Sequence, residues 1–309
     1  MDSHCVVTDD RKRASQADAI VFPWPFNGVV NKVPNRLAHQ RYVFFLFESP
    51  PKPYDKTHMK NNVFFNWTMT YRRDSDVFAP YLRFAPISQN NTEEMKRLIA
   101  KRTKPVAWFA SSCNVNSKRK LYVQELQKHI AVDIYGKCGP FKCTIWSQRC
   151  NNKLRDEYFF YLAFENGVCR DYVTEKFNRA IDSRVVPIVL HGDTYRDLVP
   201  NGSYIAADRF ASPRELATHL KHLLANQTAY LEYFAWHHTY QRPKRPPGVF
   251  GICNLCAALH NTTMGVKHQA ALYDWWVTQA HCQHGYGQKI ISVSQPKTAT
   301  TTSTQLVKN

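Results

Sequence analysis

No stretch of this 309-residue chain is apolar enough to cross a membrane or to act as a secretion leader. The first 25 residues, "MDSHCVVTDDRKRASQADAIVFPWP", hold neither a leader's apolar core nor the ~20 apolar residues of a spanning helix. Acids are scarce, 24 Asp and Glu against 41 Lys and Arg, and the net charge of +17 asks for an anionic partner: nucleic acid, a phosphorylated small molecule or an acidic membrane surface. A long basic tract is also missing, because the cations are spread along the chain, and this speaks against nucleic acid. There is no internal repeat. What is plentiful is apolar residues, 44% of the chain, enough to exclude a disordered protein and to build a sizeable core.

Nine cysteines and five Asn-x-Ser/Thr sites, Asn66, Asn90, Asn201, Asn226 and Asn261, place the chain in a secretory lumen. An odd cysteine count leaves one unpaired, and Cys5, near the terminus, is the expected leftover. A lumenal protein with no leader implies that an N-terminal anchor is missing from this sequence.

Residues 1–40 show little periodicity and read as an irregular segment. "RYVFFLFESP" then reads as a buried strand, Val43 to Phe47, stopped by Pro50 and Pro51, which puts Glu48 at its carboxyl end. Residues 41–103 form a first domain, expected to be short by its entry strand, with a small helix near "NTEEMKRLIA" capped by Asn91 and Glu94. From 104 to 240 strands alternate with helices: "PVAWFA", a helix from Ser117 to Ile130, "AVDIYG", "YFFYLAF", a helix from Thr174, "VVPIVL", "SYIAA", and a helix opened by Ser212, Pro213 and Glu215. Strands apolar on both faces imply a covered parallel sheet, a Rossmann-like half. "QTAYLEYFAWHHTY" should continue as helix. Residues 241–292 carry "CNLCAALH" and the Trp275–Trp276 pair, suggesting a helix that returns to the first domain, and 293–309 read as a disordered tail.

Within "DYVTEKFNRAI" Thr174 is a reasonable cap, and Phe177, Ala180 and Ile181 point to the sheet. Glu175 and Lys176 therefore occupy a first turn at the strands' carboxyl ends, where free N–H groups attract phosphate. Lys176 adds a full charge there, whereas Glu175 would repel phosphate and suits sugar hydroxyls. Local pattern alone favours a solvated turn whose Glu complements the helix dipole. Arg119, opening the earlier helix, could clamp a diphosphate, or simply be exposed. Glu48, facing this half from the first domain, could act as a general base. Asp74 and Asp76 in "RRDSD" have the spacing of a divalent-ion site, but two preceding arginines make an ion-pair cluster the better reading, so no metal is assigned. "CNLC" lacks a second Cys-x-x-C; His260 and Cys282 are distant candidates, and a disulfide in or around it fits better than zinc. Cys138, Cys143, Cys150 and Cys169 should staple loops around the cleft.

With "ESP", "FNWTMTYRRDSDVFAPY", "VAWFASSCN", "AVDIYGKCG" and above all "FYLAFENGVCRDYVTEKF" on one chain, residues 42–238 resemble the α1,3-fucosyltransferases, family 10 of the glycosyltransferases, and the invertebrate type in particular. The resemblance implies an α/β GT-B architecture, two Rossmann-like domains with the active site in the cleft between them. It implies GDP-fucose as donor, no obligatory metal, and inverting transfer to a GlcNAc hydroxyl of a glycoprotein N-glycan, core or antenna, with Glu48 as base. The donor contacts carried over are Arg119, Asn166, Tyr172, Glu175 and Lys176, and the family setting is the Golgi lumen behind a membrane anchor. A rival reading is a lumenal pseudoenzyme or truncated isoform that binds nucleotide sugar without turnover.

Overall fold

The computed structural model describes residues 4–23, 36–50, 64–86, 92–143, 147–243, 248–265 and 271–292. In the first domain, β1 (Ala19–Pro23), β2 (Arg41–Leu46), β3 (Trp67–Thr70) and β4 (Val77–Phe78) form a parallel sheet in that order. All four residues of β3 are buried, as a covered parallel strand requires. β1 corrects the reading of 1–40 as wholly irregular, and of a first domain without an entry strand. Its apolar run is short, it pairs only with β2, and Phe22 is its one buried residue, so an edge strand of this kind leaves little pattern in the sequence.

A short antiparallel pair, β5 (Ala85–Pro86) with β11 (Tyr240–Gln241), joins the domains' outer edges. α1 (Thr92–Ile99) follows, and its Met95 and Ile99 pack into the core of the second domain. The Asn91 and Glu94 cap lies outside what the structure describes. The second sheet is parallel, β6 (Lys104–Phe109), β7 (Val132–Tyr135), β8 (Tyr158–Leu162), β9 (Val186–Val189) and β10 (Ile205–Ala206), in the order β10-β9-β8-β6-β7. α2 (Arg119–Gln127) and α5 (Pro213–Ala225) cover one face; α3 (Gln148–Glu157) and α4 (Glu175–Asp182) cover the other. The chain winds outward from β6 to β7 and then returns to lay β8 on β6's other side. Loops leaving β6 and β8 diverge there, opening a crevice at the carboxyl ends.

Local chemistry explains most of these ends. Ser212 Oγ accepts Glu215 N–H at 3.2 Å while Glu215 reaches back to Ala211 N–H at 3.0 Å, with Pro213 opening α5. The expected continuous helix beyond α5 is instead α6 (Gln227–Glu232) and a 3₁₀ turn at Ala235–His238, because Asn226 turns extended and caps α6 through Ala229 N–H at 3.1 Å. α7 (Val249–His260) returns to the first domain, where Leu255 and Ala258 pack on Val43, Trp67 and Met69. A π-helical stretch, Asp274–Thr278, sends Trp276 against Phe44 and Tyr71, and α8 (Tyr286–Ser292) docks back on α2 through Gly287 N–H to Ser117 O at 2.8 Å. No helix among the described residues is long and apolar enough to cross a membrane.

Four disulfides form, Cys5–Cys256, Cys113–Cys138, Cys143–Cys150 and Cys169–Cys282, and the free thiol is Cys253, exposed on α7. Cys5 is therefore not the leftover: the N-terminal segment reaches Cys256 of α7, a tertiary fact no spacing encodes. His260 Nδ1 lies 2.9 Å from Cys256 O, and Cys282 is bridged to Cys169. One sequon is also architectural. Asn66 is fully buried, its Oδ1 accepting Tyr42 N–H at 2.9 Å and Arg36 Nη1 at 3.0 Å, so it fastens the entry of β3 rather than offering a glycan site. Asn201, Asn226 and Asn261 are exposed, and Asn90 is outside the described residues.

Candidate active site

The crevice at the strands' carboxyl ends is a cleft of about 150 Å³, partly open to solvent. Residues from both domains line it: Glu48 from beyond β2, Phe109, Ser111, Ser112 and Arg119 from β6 and α2, Asn166 from beyond β8, and Glu175, Lys176 and Arg179 from α4. Five of the six residues expected in the site thus share one cleft. The sixth, Tyr172, is buried behind Glu48 and donates its hydroxyl to Glu48 Oε2 at 2.8 Å, with its ring 5.0 Å from that of Tyr71.

Glu48 itself is exposed, and its strand end is pinned across the domain junction. Tyr81 Oη donates to Phe47 O at 2.8 Å, and Asn178 of α4 donates to Tyr81 O at 2.9 Å. Gly167 lets the two domains close here, since a Cβ on it would lie 2.9 Å from Ser49 Oγ.

Arg119 is not an exposed helix-start arginine. It is 2% exposed, lies over the Trp108 ring at 5.4 Å, and donates to Phe164 O and, at 3.1 Å, to Ser112 O. Burial pulls its pKa down and Glu165 pulls it back up, but a guanidinium stays charged regardless. Lys176 Nζ reaches Glu165 at 2.9 Å, Glu175 at 3.1 Å and Thr174 Oγ1 at 2.8 Å. Desolvation opposes its charge, yet the two carboxylates outweigh it and raise its pKa. For Glu175, burial pushes the carboxyl up, while Lys176 and the backbone N–H and Thr174 contacts bring it net below the usual range. Thr174 caps α4 as expected, although its contact with Lys176 N–H is long at 3.5 Å.

Two residues escaped the sequence reading. Glu165, next to Asn166 in "FEN", is buried and bonded to Thr174 and Lys176. Arg179 lies three and four residues beyond Lys176 and Glu175, a spacing that puts it on their helix face. It sits over the Phe109 ring at 5.3 Å and donates to Tyr161 Oη at 3.2 Å. Helical spacing was the available signal for Arg179; for Glu165 there was only adjacency.

Asp74 sits in an ion-pair cluster, as the sequence reading expects, and Asp76 bonds Thr68. Asp74 takes Arg72 at 2.6 Å, Arg170 at 3.1 Å and Trp275 Nε1 at 3.2 Å, while Asp76 takes Thr68 N–H at 2.8 Å. Cys143–Cys150 lines the cleft and Cys113–Cys138 straps the β6 and β7 exit loops together, so these bridges do staple the loops around it.

Two Rossmann-like parallel sheets facing each other across a cleft that carries cations on one wall and a carboxylate on the other define a GT-B glycosyltransferase fold. Comparison with known sequences narrows this: residues 99–275 match the model "Glycosyltransferase family 10 (fucosyltransferase) C-term", and residues 2–82 match "Fucosyltransferase, N-terminal". The chain belongs to glycosyltransferase family 10, the fucosyltransferases. Drosophila melanogaster α-(1,3)-fucosyltransferase C is 37% identical over 86% of this chain and 67% of its own length. Glycoprotein 3-α-L-fucosyltransferase A of the same fly is 37% identical over 88% of this chain, which spans only 54% of that relative. Among solved structures, an α1,3-fucosyltransferase with GDP-fucose matches at a TM-score of 0.49 and 18% identity, covering 76% of this chain and 78% of that one.

Proposed function

We propose that this chain is an inverting α1,3-fucosyltransferase that moves L-fucose from GDP-fucose to a GlcNAc hydroxyl of a glycoprotein N-glycan, core or antenna, in the Golgi lumen. The observation that carries the proposal is the meeting in one cleft of Glu48, from the first domain, with Arg119, Asn166, Glu175 and Lys176, from the second. Relatives named α-(1,3)-fucosyltransferase support the transferred group and the linkage.

The reaction needs a base for the acceptor proton, contacts that hold the sugar, and cations for the charge that grows on GDP as the glycosidic bond breaks. Glu48 takes the proton as the acceptor oxygen bonds to fucose C1; the bond from C1 to the diphosphate oxygen breaks on the opposite side, and GDP leaves. Tyr172, bonded to Glu48, fixes the direction of the carboxylate. Arg119 and Lys176 receive the diphosphate, and both are held by the protein before it arrives, so little reorganisation accompanies the charge transfer. Asn166 and Glu175 offer acceptors to the donor's hydroxyls. Charge on the leaving group is thus met by side-chain cations and by the α4 terminus, and no residue set in the cleft is assigned to a metal.

A transfer assay tests this. Incubating the secreted protein with GDP-fucose and a panel of N-glycan and lacto-type acceptors is expected to yield a fucosylated GlcNAc product. GDP release without acceptor product, from folded protein, would favour a nucleotide-sugar binder that lacks transfer.

A further inference from the structure

Three consecutive carbonyls at the exit of β8 hold the start of α2. Phe164 O accepts from Arg119, Glu165 O from Ser117 Oγ at 2.9 Å, and Asn166 O from Ser117 N–H at 3.0 Å. The Glu165 side chain turns the other way, to α4. Its Oε1 accepts Thr174 N–H at 2.8 Å, both its oxygens lie within 2.9 Å of Thr174 Oγ1, and its Oε2 lies 2.9 Å from Lys176 Nζ. All of these neighbours can donate, which is the environment of a carboxylate. Glu165 is 5% exposed and is not among the residues that line the cleft, so it stands behind the floor on which Arg119 and Lys176 stand.

Two cations on one buried floor repel each other, and each loses hydration. We infer that Glu165 is a positioning residue: the buried anion that holds Lys176 beside Arg119, itself bonded to the neighbouring Phe164 O, so that both charges face the incoming diphosphate. The inference deepens the donor reading above and rests on it. Glu165 favours the charged form of each cation, while Arg119 disfavours that of Lys176, so the anion offsets the repulsion between them. Burial and the neighbouring Glu175 leave the Glu165 carboxyl net above the usual range, while Lys176 pulls it down, the reciprocal sign of the same coupling. The groups facing Lys176 are Glu165 from the β8 exit, Glu175 on its own helix and Arg119 from α2, with Glu48 and Arg179 also lining the cleft. Of these, Glu165 alone does not line the cleft.

Glu165→Gln keeps an acceptor for Thr174 N–H and removes the charge. Calorimetric titration with GDP from pH 7 to 10 is expected to give about tenfold or weaker binding at pH 7, as when one partner of a buried pair is truncated. It is also expected to give affinity that falls at lower pH than in the wild type, because Lys176 gives up its proton more readily. Adding Lys176→Arg to Glu165→Gln should flatten that alkaline fall, since a guanidinium does not titrate there. If Glu165→Gln does not fold, Glu165→Asp draws the carboxylate back from Nζ and should weaken GDP binding by a smaller factor. Wild-type affinity and pH dependence in a folded Glu165→Gln or Glu165→Asp protein would overturn the inference alone. A wild-type protein that does not bind GDP would overturn the donor reading, and this inference with it.

Discussion

At the scale of single residues, burial and partners decide what a charge can do. Lys176 and Arg119 could each have been solvated helix-start cations on local pattern. Lys176 instead sits between Glu165 and Glu175, and Arg119 is 2% exposed. Because hydrogen bonds to charged groups contribute about 1.5–3 kcal/mol, Lys176→Ala should weaken GDP binding by roughly ten- to a hundredfold. It should also lower stability, since two buried carboxylates lose their counter-ion. Lys176→Arg keeps the charge and should weaken binding less; isothermal titration with GDP separates the two, and equal affinity for wild type and Lys176→Ala would remove Lys176 from the diphosphate site. Glu48, Arg119, Glu175 and Lys176 were legible because each follows a strand's carboxyl end or opens the helix after it, whereas Asn166 came from the family resemblance alone. Tyr172's bond to Glu48 was not legible, since it spans 124 positions. Neither was the bridge from Cys5 to Cys256, across 251.

At the scale of elements, the sequence betrayed those that carry strong caps and apolar faces. α4 and α5 announce themselves through Thr174 and through Ser212, Pro213 and Glu215. α3 does not, because only Cys150 and Leu154 of its ten residues are buried and its run is otherwise polar. β1 hides for the opposite reason, being a short apolar edge with one partner. The loop after β7 depends on Gly136, whose φ of 96° is a left-handed conformation and whose added Cβ would meet Ala110 O at 2.7 Å. Gly136→Ala should therefore destabilise by about 1–3 kcal/mol or more in denaturant unfolding, strain and clash adding. Gly202, at φ 74° with open space around it, carries the strain alone, and Gly202→Ala should cost about 1 kcal/mol. Equal losses at the two sites would contradict the close approach of the β6 and β7 loops beside the cleft.

At the scale of the whole molecule, the domains meet through polar contacts that converge on the reaction centre. Besides Tyr172 to Glu48 and Asn178 to Tyr81 O, Arg73 of the first domain binds buried Asp171 of the second at 3.0 Å, with Asp171 in a left-handed conformation at φ 58°. The parallel second sheet, its helices other than α3 and its carboxyl-end cleft were readable from strand and helix alternation. The strand order and the way α7 and the Trp276 stretch return to the first domain were not, being set by packing far along the chain. Stability of the assembled molecule should fall in mild acid. His237 is stacked on Trp236 at 3.7 Å, and burial, with Arg184 and His238, holds its pKa down to about 4. The unfolded chain takes up this proton near pH 6.5, so the contribution of neutral His237 is full above that pH and is lost as pH falls toward 4. Melting temperatures between pH 7 and 4 should decline less steeply in His237→Phe, and an identical slope would refute the assignment. The central claim is that a base on one domain works on a donor held by the other, and Glu48→Gln tests it most directly. Measured together, fucosyl transfer from GDP-fucose should drop by about a hundredfold or more while GDP affinity stays as in the wild type. A variant that retains more than about a tenth of the activity, with GDP binding intact, would contradict Glu48 as the base.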